Sequence, residues 1–147
     1  MLERSIVVRC SLAAAFEAFT THIDEWWPRS HRRWSDSVLV LEGRAGGRLY
    51  ERSAGGEEAS LGAVTHWEPP ARLGYDWYPG SGVDVPTHVD VRFFVDGDRT
   101  RVEVTHSLGK VARELWTERV ARFEQGWGAV LPAFAGHVET MERGNSG

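Results

Sequence analysis

Two periodicities divide this chain. From Asp36 to Leu108 apolar and polar residues alternate in short runs, and from Trp116 to Met141 the apolar positions recur every three or four residues. The first pattern predicts half-buried strands. Val38 to Leu41, Arg48 to Arg52, Ser60 to Trp67, Leu73 to Trp77, Thr87 to Val95 and Val102 to Leu108 fit it, with turns at Gly46-Gly47, Gly55-Gly56, Pro69-Pro70 and Asp96-Gly97-Asp98. Proline fixes its own φ and removes a ladder donor, so Pro69-Pro70 ends one strand where the next must begin. Tyr78 to Pro86, rich in Pro and Gly, reads as a longer loop. Leu73, Tyr75 and Trp77 share one inward face, whereas spacing alone leaves the facing of His66 and Trp67 open.

Ahead of this region, Ser5 to Arg9 is a short β-branched run and predicts a first strand. Ser11 offers an N-cap to a helix carrying Leu12, Ala15, Phe16 and Phe19. Thr21 and Asp24 suggest a capping box for a second short helix, His22 to Trp27, stopped by Pro28. Arg29 to Ser35 reads as an exposed basic loop.

The second pattern predicts one long amphipathic helix, with Trp116, Val120, Phe123, Trp127, Val130, Phe134, Val138 and Met141 on a single stripe. Pro132 cannot donate to the carbonyl of Gly128, which predicts a kink between the two. A long apolar stripe must be buried, and the concave face of a curved sheet is the only large partner available. The expected class is therefore α+β: a helix-grip fold in which a curved antiparallel sheet of about seven strands wraps a long C-terminal helix, with two short helices between strands 1 and 2. A chain of 147 residues is expected to form a single domain spanning 1–147.

Composition narrows the function classes. A net charge of −4 disfavours a surface that tracks nucleic-acid phosphates. No apolar run reaches the length of a membrane span. The N-terminus enters a strand directly, without the layout of a signal peptide, and the single Cys10 cannot form an internal disulfide; both fit a cytoplasmic protein.

Several motifs resemble one known family. Trp26-Trp27-Pro28, Gly46-Gly47-Arg48-Leu49-Tyr50-Glu51, Gly62 followed by Trp67-Glu68-Pro69-Pro70-Ala71-Arg72-Leu73, Thr100 to His106, and Gly126-Trp127 with Leu131 occur in the family's order over almost the whole chain. In these the chain resembles the branch of the START-like (SRPBCC, helix-grip) superfamily named for the activator of the heat-shock-protein-90 ATPase. The resemblance implies a cavity between sheet and terminal helix that often holds an apolar ligand. Lipid carriers, polyketide cyclases and hormone receptors occur in the wider superfamily. The chaperone-activator role goes with a eukaryotic protein that has an additional N-terminal domain, and no such domain is expected ahead of Ser5.

The candidate ligand-binding residues are Trp27, Tyr50, Glu51, Tyr75, Trp77, Phe93, His106, Trp127 and Leu131. His106 shares a face with Val102 and Val104, where an imidazole can serve as general acid or base, or can be a core side chain satisfied by its neighbours. The aromatic residues can line a pocket or fill the core of a small curved sheet. Glu51 shares a face with Leu49, while Asp90 and Arg92 lie opposite the apolar face and read as solvated pairs. The scattered histidines have no metal-ligand spacing, and no metal or cofactor is expected. Cys10 has no evident base to activate it, and Gly46-Gly47 precedes a strand rather than a helix, so it cradles no phosphate. The basic cluster Arg29, His31, Arg32 and Arg33 reads as a solvated loop.

The leading expectation is a protein that binds a small apolar or aromatic molecule, with Tyr75, His106 and Glu51 as polar anchors and helix movement at the kink admitting the ligand. Binding is preferred to catalysis. The alternatives are a cyclase- or hydrolase-like enzyme using His106, and a chaperone-ATPase-interacting protein with an exposed apolar patch at Trp26 and Trp34. A homodimer is left open.

Overall fold

Alternation in the sequence becomes one continuous ladder in space. The structure, a computed structural model, describes residues 2–78, 86–108 and 113–145. Its elements are β1 (Leu2–Val8), α1 (Leu12–Thr20), α2 (Ile23–Trp26), a short 3-10 turn (Arg29–His31), β2 (Val38–Leu41), β3 (Arg48–Arg52), β4 (Glu58–Glu68), β5 (Arg72–Trp77), β6 (Thr87–Asp96), β7 (Arg99–Ser107) and α3 (Arg113–Asn145). The seven strands form one curved antiparallel sheet in the order β1-β7-β6-β5-β4-β3-β2. This is the helix-grip arrangement expected from the sequence. Most of the Tyr78 to Pro86 loop lies outside the described residues.

Period-two patterning fixes which side chains face inward. Leu2, His106, Val89, Tyr75 and Val64 stand opposite one another across β1, β7, β6, β5 and β4, making one inward row. Val91 and Val104 form a neighbouring pair, and Phe93 and Val102 the next. All four are buried, as are Val130, Phe134 and Val138 on the facing stripe of α3. Full burial of such a side chain contributes about 1.5–3 kcal/mol, so this seam is the main source of stability. α1 closes one end. Ser11 Oγ accepts from the Ala14 amide, as a cap should, and Phe16 and Phe19 pack edge-on against Phe93 at 5.2 and 5.9 Å. Phe19 also meets Phe134 at 5.2 Å, joining α1 to α3.

A bulge settles the His66–Trp67 question. The register shifts between Val64, which pairs with Tyr75, and His66, which pairs with Gly74. The extra residue, Thr65, breaks strict alternation, so Val64 and Trp67 both belong to the apolar side. Trp67 packs on Phe16 at 5.1 Å, whereas His66 lies 6.3 Å from His88, a ring outside the core. The Pro69-Pro70 peptide that follows is cis.

Three local expectations are corrected. The Thr21–Asp24 capping box does not form: His22 is the N-cap residue, and its side chain bonds Glu25 rather than capping a backbone amide. The Asp24 carboxylate instead accepts from the Leu39 amide and the Arg32 guanidinium, at 2.8 and 2.6 Å. The Arg29–Ser35 segment is not a freely solvated loop, because the Arg32 side chain is only 1% exposed. It donates to the carbonyls of Asp24, Trp27 and Ser37, crosslinking α2 to the start of β2. Trp26 is buried rather than part of an exposed patch, with its Nε1 donating to the Ala18 carbonyl and its ring against Phe134.

α3 stays helical through Gly128 and Pro132 over the whole span Arg113–Asn145. Both residues are exposed, so the carbonyl that Pro132 leaves without a donor faces water, where it is readily solvated.

Gly62 shows where backbone proximity dictates sequence. It sits beside the β3–β4 register shift, opposite both Leu49 and Trp77. A Cβ there would overlap the carbonyl oxygen of Asp76 on β5. Gly62→Ala is therefore expected to cost about 1–3 kcal/mol of unfolding free energy, measured by urea denaturation. An unchanged midpoint would show that β4 and β5 do not approach so closely.

Candidate ligand cavity

The inward row that carries His106 and Tyr75 does not meet α3 in full contact. A cavity of about 470 Å³ opens there, within the usual range for small-molecule sites. Trp27, Tyr75, Trp77, His106, Trp127 and Val130 form its floor and walls, with Phe123 and Gly126 beside them. His31, Arg122 and Gln125, all exposed, complete the mouth. Of the six helical residues, 122, 123, 126, 127 and 130 are those that a 3.6-residue period places on one face, with Gln125 at its edge.

Aromatic rings make most of the wall. Trp27 and Trp77 lie 5.8 Å apart at 50°, and Tyr75 follows at 6.1 Å from Trp77. On the opposite side the His106 ring lies 4.3 Å from Phe123 and 5.5 Å from Trp116. Tyr75 is buried, and its hydroxyl forms no hydrogen bond to a described residue. Burial raises the pKa of that phenol, so it stays protonated and retains both a donor and an acceptor.

His106 is fully committed. The Trp127 indole can only donate, and its Nε1 lies 3.1 Å from His106 Nδ1, which must therefore accept. The ring proton then sits on Nε2, which donates to Thr87 Oγ1 at 2.8 Å. Thr87 in turn donates to the Trp77 carbonyl at 2.8 Å. This one-way relay connects α3, β7, β6 and β5. Protonating Nδ1 would set two donors against each other. Burial lowers the His106 pKa to about 4, and the nearby His88 contributes to the shift.

Four of the nine sequence candidates lie elsewhere. Tyr50 is on the opposite face of β3, between Arg48 and Arg52, whose guanidinium carbons sit 4.1 and 5.5 Å from its ring centre. Glu51 is buried, as its shared face with Leu49 suggested, but it serves the 33–37 segment. Its carboxylate accepts from the Arg33 and Trp34 amides and the Ser37 hydroxyl, at 3.1, 3.2 and 2.6 Å. Phe93 packs under α1, and Leu131 belongs to the core beyond the cavity. Trp27, Tyr75, Trp77, His106 and Trp127 do come together. Phe123 and Val130 were legible as stripe residues, but His31, Arg122, Gln125 and Gly126 carried no signal that set them apart. Among the described residues no group of three or more His, Cys, Asp or Glu side chains is arranged to hold a metal, and no helix is long and apolar enough to cross a membrane.

Comparison with known proteins agrees with the fold. The family model described as Activator of Hsp90 ATPase homolog 1-like protein matches residues 9–139. A search of curated proteins found no match. Among solved structures, an anthrahydroquino-gamma-pyrone synthase is 29% identical with a TM-score of 0.64, over 92% of this chain and 94% of that one. The self-sacrificing resistance protein CalC from Micromonospora echinospora is 27% identical with a TM-score of 0.73, over 95% and 94%. The Aha1 dimer from Colwellia psychrerythraea, at 15% identity and a TM-score of 0.67 over 94% and 95%, shares the fold.

The His106 relay makes stability depend on pH in a defined direction. In the unfolded chain the imidazole protonates near its ordinary value of 6.5, and in the folded protein only near 4. Its contribution is thus complete above pH 6.5 and is lost as pH falls toward 4, amounting to about 3 kcal/mol. Urea titrations across this window should show that loss in the wild type and lack it in His106→Gln. Equal slopes in the two proteins would refute the neutral, buried imidazole.

Proposed function

The chain belongs to the Activator of Hsp90 ATPase homolog 1-like family, and from that premise we propose that it binds a flat, mainly apolar small molecule between α3 and the sheet. One observation carries this reading. A 470 Å³ cavity walled by Trp27, Trp77, Trp127 and Phe123 opens beside a protonated Tyr75 hydroxyl that no described residue engages. Planar rings with one spare hydrogen-bonding group favour an aromatic ligand bearing a carbonyl or hydroxyl. One relative of similar length, described as an anthrahydroquino-gamma-pyrone synthase, supports the choice of an aromatic, oxygenated ligand class.

Binding ranks above catalysis because of His106. Its Nδ1 lone pair is taken by Trp127 and its Nε2 proton by Thr87, so the ring offers neither a free base nor a free acid to a bound molecule. A cyclase- or hydrolase-like reaction would first have to break one of those bonds. The chaperone-interaction reading loses the Trp26 half of its exposed patch, since that ring is buried.

Gly126 provides a test. Within a helix glycine costs about 0.5–1 kcal/mol relative to alanine, yet a Cβ at this position would meet nothing within 4 Å. Gly126→Ala is expected to raise unfolding free energy by about that amount. Gly126→Trp should leave the fold intact and fill the mouth. Binding of the neutral fluorophore N-phenyl-1-naphthylamine should fall by about tenfold or more in Gly126→Trp, in keeping with the loss of several ring contacts. A wild type that does not bind this probe, or a Gly126→Trp variant that binds it equally well, would remove the proposal.

A further inference from the structure

Charge at the cavity mouth is one-sided. The chain has 21 Asp and Glu against 17 Lys and Arg, so acidic groups are the commoner surface feature. Among the described residues, however, no carboxylate lines the cavity. Among the described lining residues the one arginine or lysine is Arg122, which is exposed and forms no ion pair with a described residue. Other arginines behave differently: Arg4 pairs with Glu124 at 3.6 Å, and Arg32 with Asp24 at 2.6 Å. Nine arginines pair with a described carboxylate, whereas Arg122, like Arg9, Arg29 and Arg33, pairs with none among the described residues.

Position adds to composition. Arg122 lies one helical turn before Gly126, where the missing side chain leaves open space at the mouth that both residues line. Gln125 and His31 extend the polar rim around it. With a net charge of −4, the long-range field of the protein repels anions, so an anionic ligand depends on a local cation. A guanidinium is suited to that role, because its planar fork matches a carboxylate and stacks on aromatic faces.

We propose that the cavity selects an aromatic ligand bearing an acidic group, with the rings against Trp27 and Trp77 and the carboxylate or comparable oxyanion held by Arg122 at the mouth. This rests on the small-molecule reading above but makes a separate claim about ligand charge.

The test uses a matched pair, 2-naphthoate and 2-naphthamide, each displacing N-phenyl-1-naphthylamine from the full-length protein at pH 8. In the wild type the carboxylate should bind about five- to tenfold more tightly than the amide, the scale of a charge-assisted hydrogen bond at a partly desolvated site. That preference should shrink in 0.5 M salt, disappear in Arg122→Gln and reverse in Arg122→Glu. Arg122 is exposed on α3, so these variants should fold, and circular dichroism checks that they do. Equal affinity for the two probes in the wild type, or a preference that survives Arg122→Gln, overturns the charge assignment while leaving the cavity reading standing. Failure of both probes and of the fluorophore removes both.

Discussion

A helix with a continuous apolar stripe cannot be left in water, and this fold is the consequence of covering it. The stripe of α3 from Trp116 to Val138 needs a concave partner, and the seven strands supply one by curling around it. Everything else is placed relative to that seam. α1 plugs one end through Phe16, Phe19 and Phe93, and α2 brings Trp26 against Phe134. The cavity lies where this packing stops short, along the turns of α3 that carry Arg122, Gln125 and Gly126. It is an interruption of the seam and not a separate structure.

Polar groups then fix what the apolar seam leaves adjustable. Hydrophobic contact is not directional, so on its own it would let α3 slide or rotate against the sheet. The Trp127–His106–Thr87–Trp77 relay removes that freedom, because each group has one permitted donor or acceptor role. The fixed position of the cavity wall and the engagement of both His106 ring nitrogens thus have the same cause. A side chain that resembles a catalytic histidine in sequence is in this protein the bolt between helix and sheet.

Much of this was legible in the sequence, for physical reasons that also explain the failures. Periodicity reports which side of an element is apolar, so all seven strands, the long helix and the inward placement of Tyr75, Trp77, His106 and Trp127 could be read directly. It cannot report position along the seam. Phe93 and Leu131 face inward as expected but lie beyond the cavity. Tyr50 misled because its burial comes from two arginines on the outer face, a cation–π contact with no period. Thr65 defeated alternation by adding a residue to β4. His31 and Arg122 were hidden for the opposite reason: a polar residue at a cavity mouth looks the same in sequence as one on any solvated surface.

Glu51 carries one more consequence. Its buried carboxylate has three donors, and all of them come from residues 33, 34 and 37, while Arg32 in the same segment is bound to α2 and to Ser37. Lifting any part of that segment would strand a carboxylate or a guanidinium in the interior, so piecemeal fraying is disfavoured. The segment should instead exchange as one cooperative unit. Because His31 stands at the head of that segment and lines the cavity mouth, a buried carboxylate that does not itself line the cavity helps to hold one edge of the mouth in place.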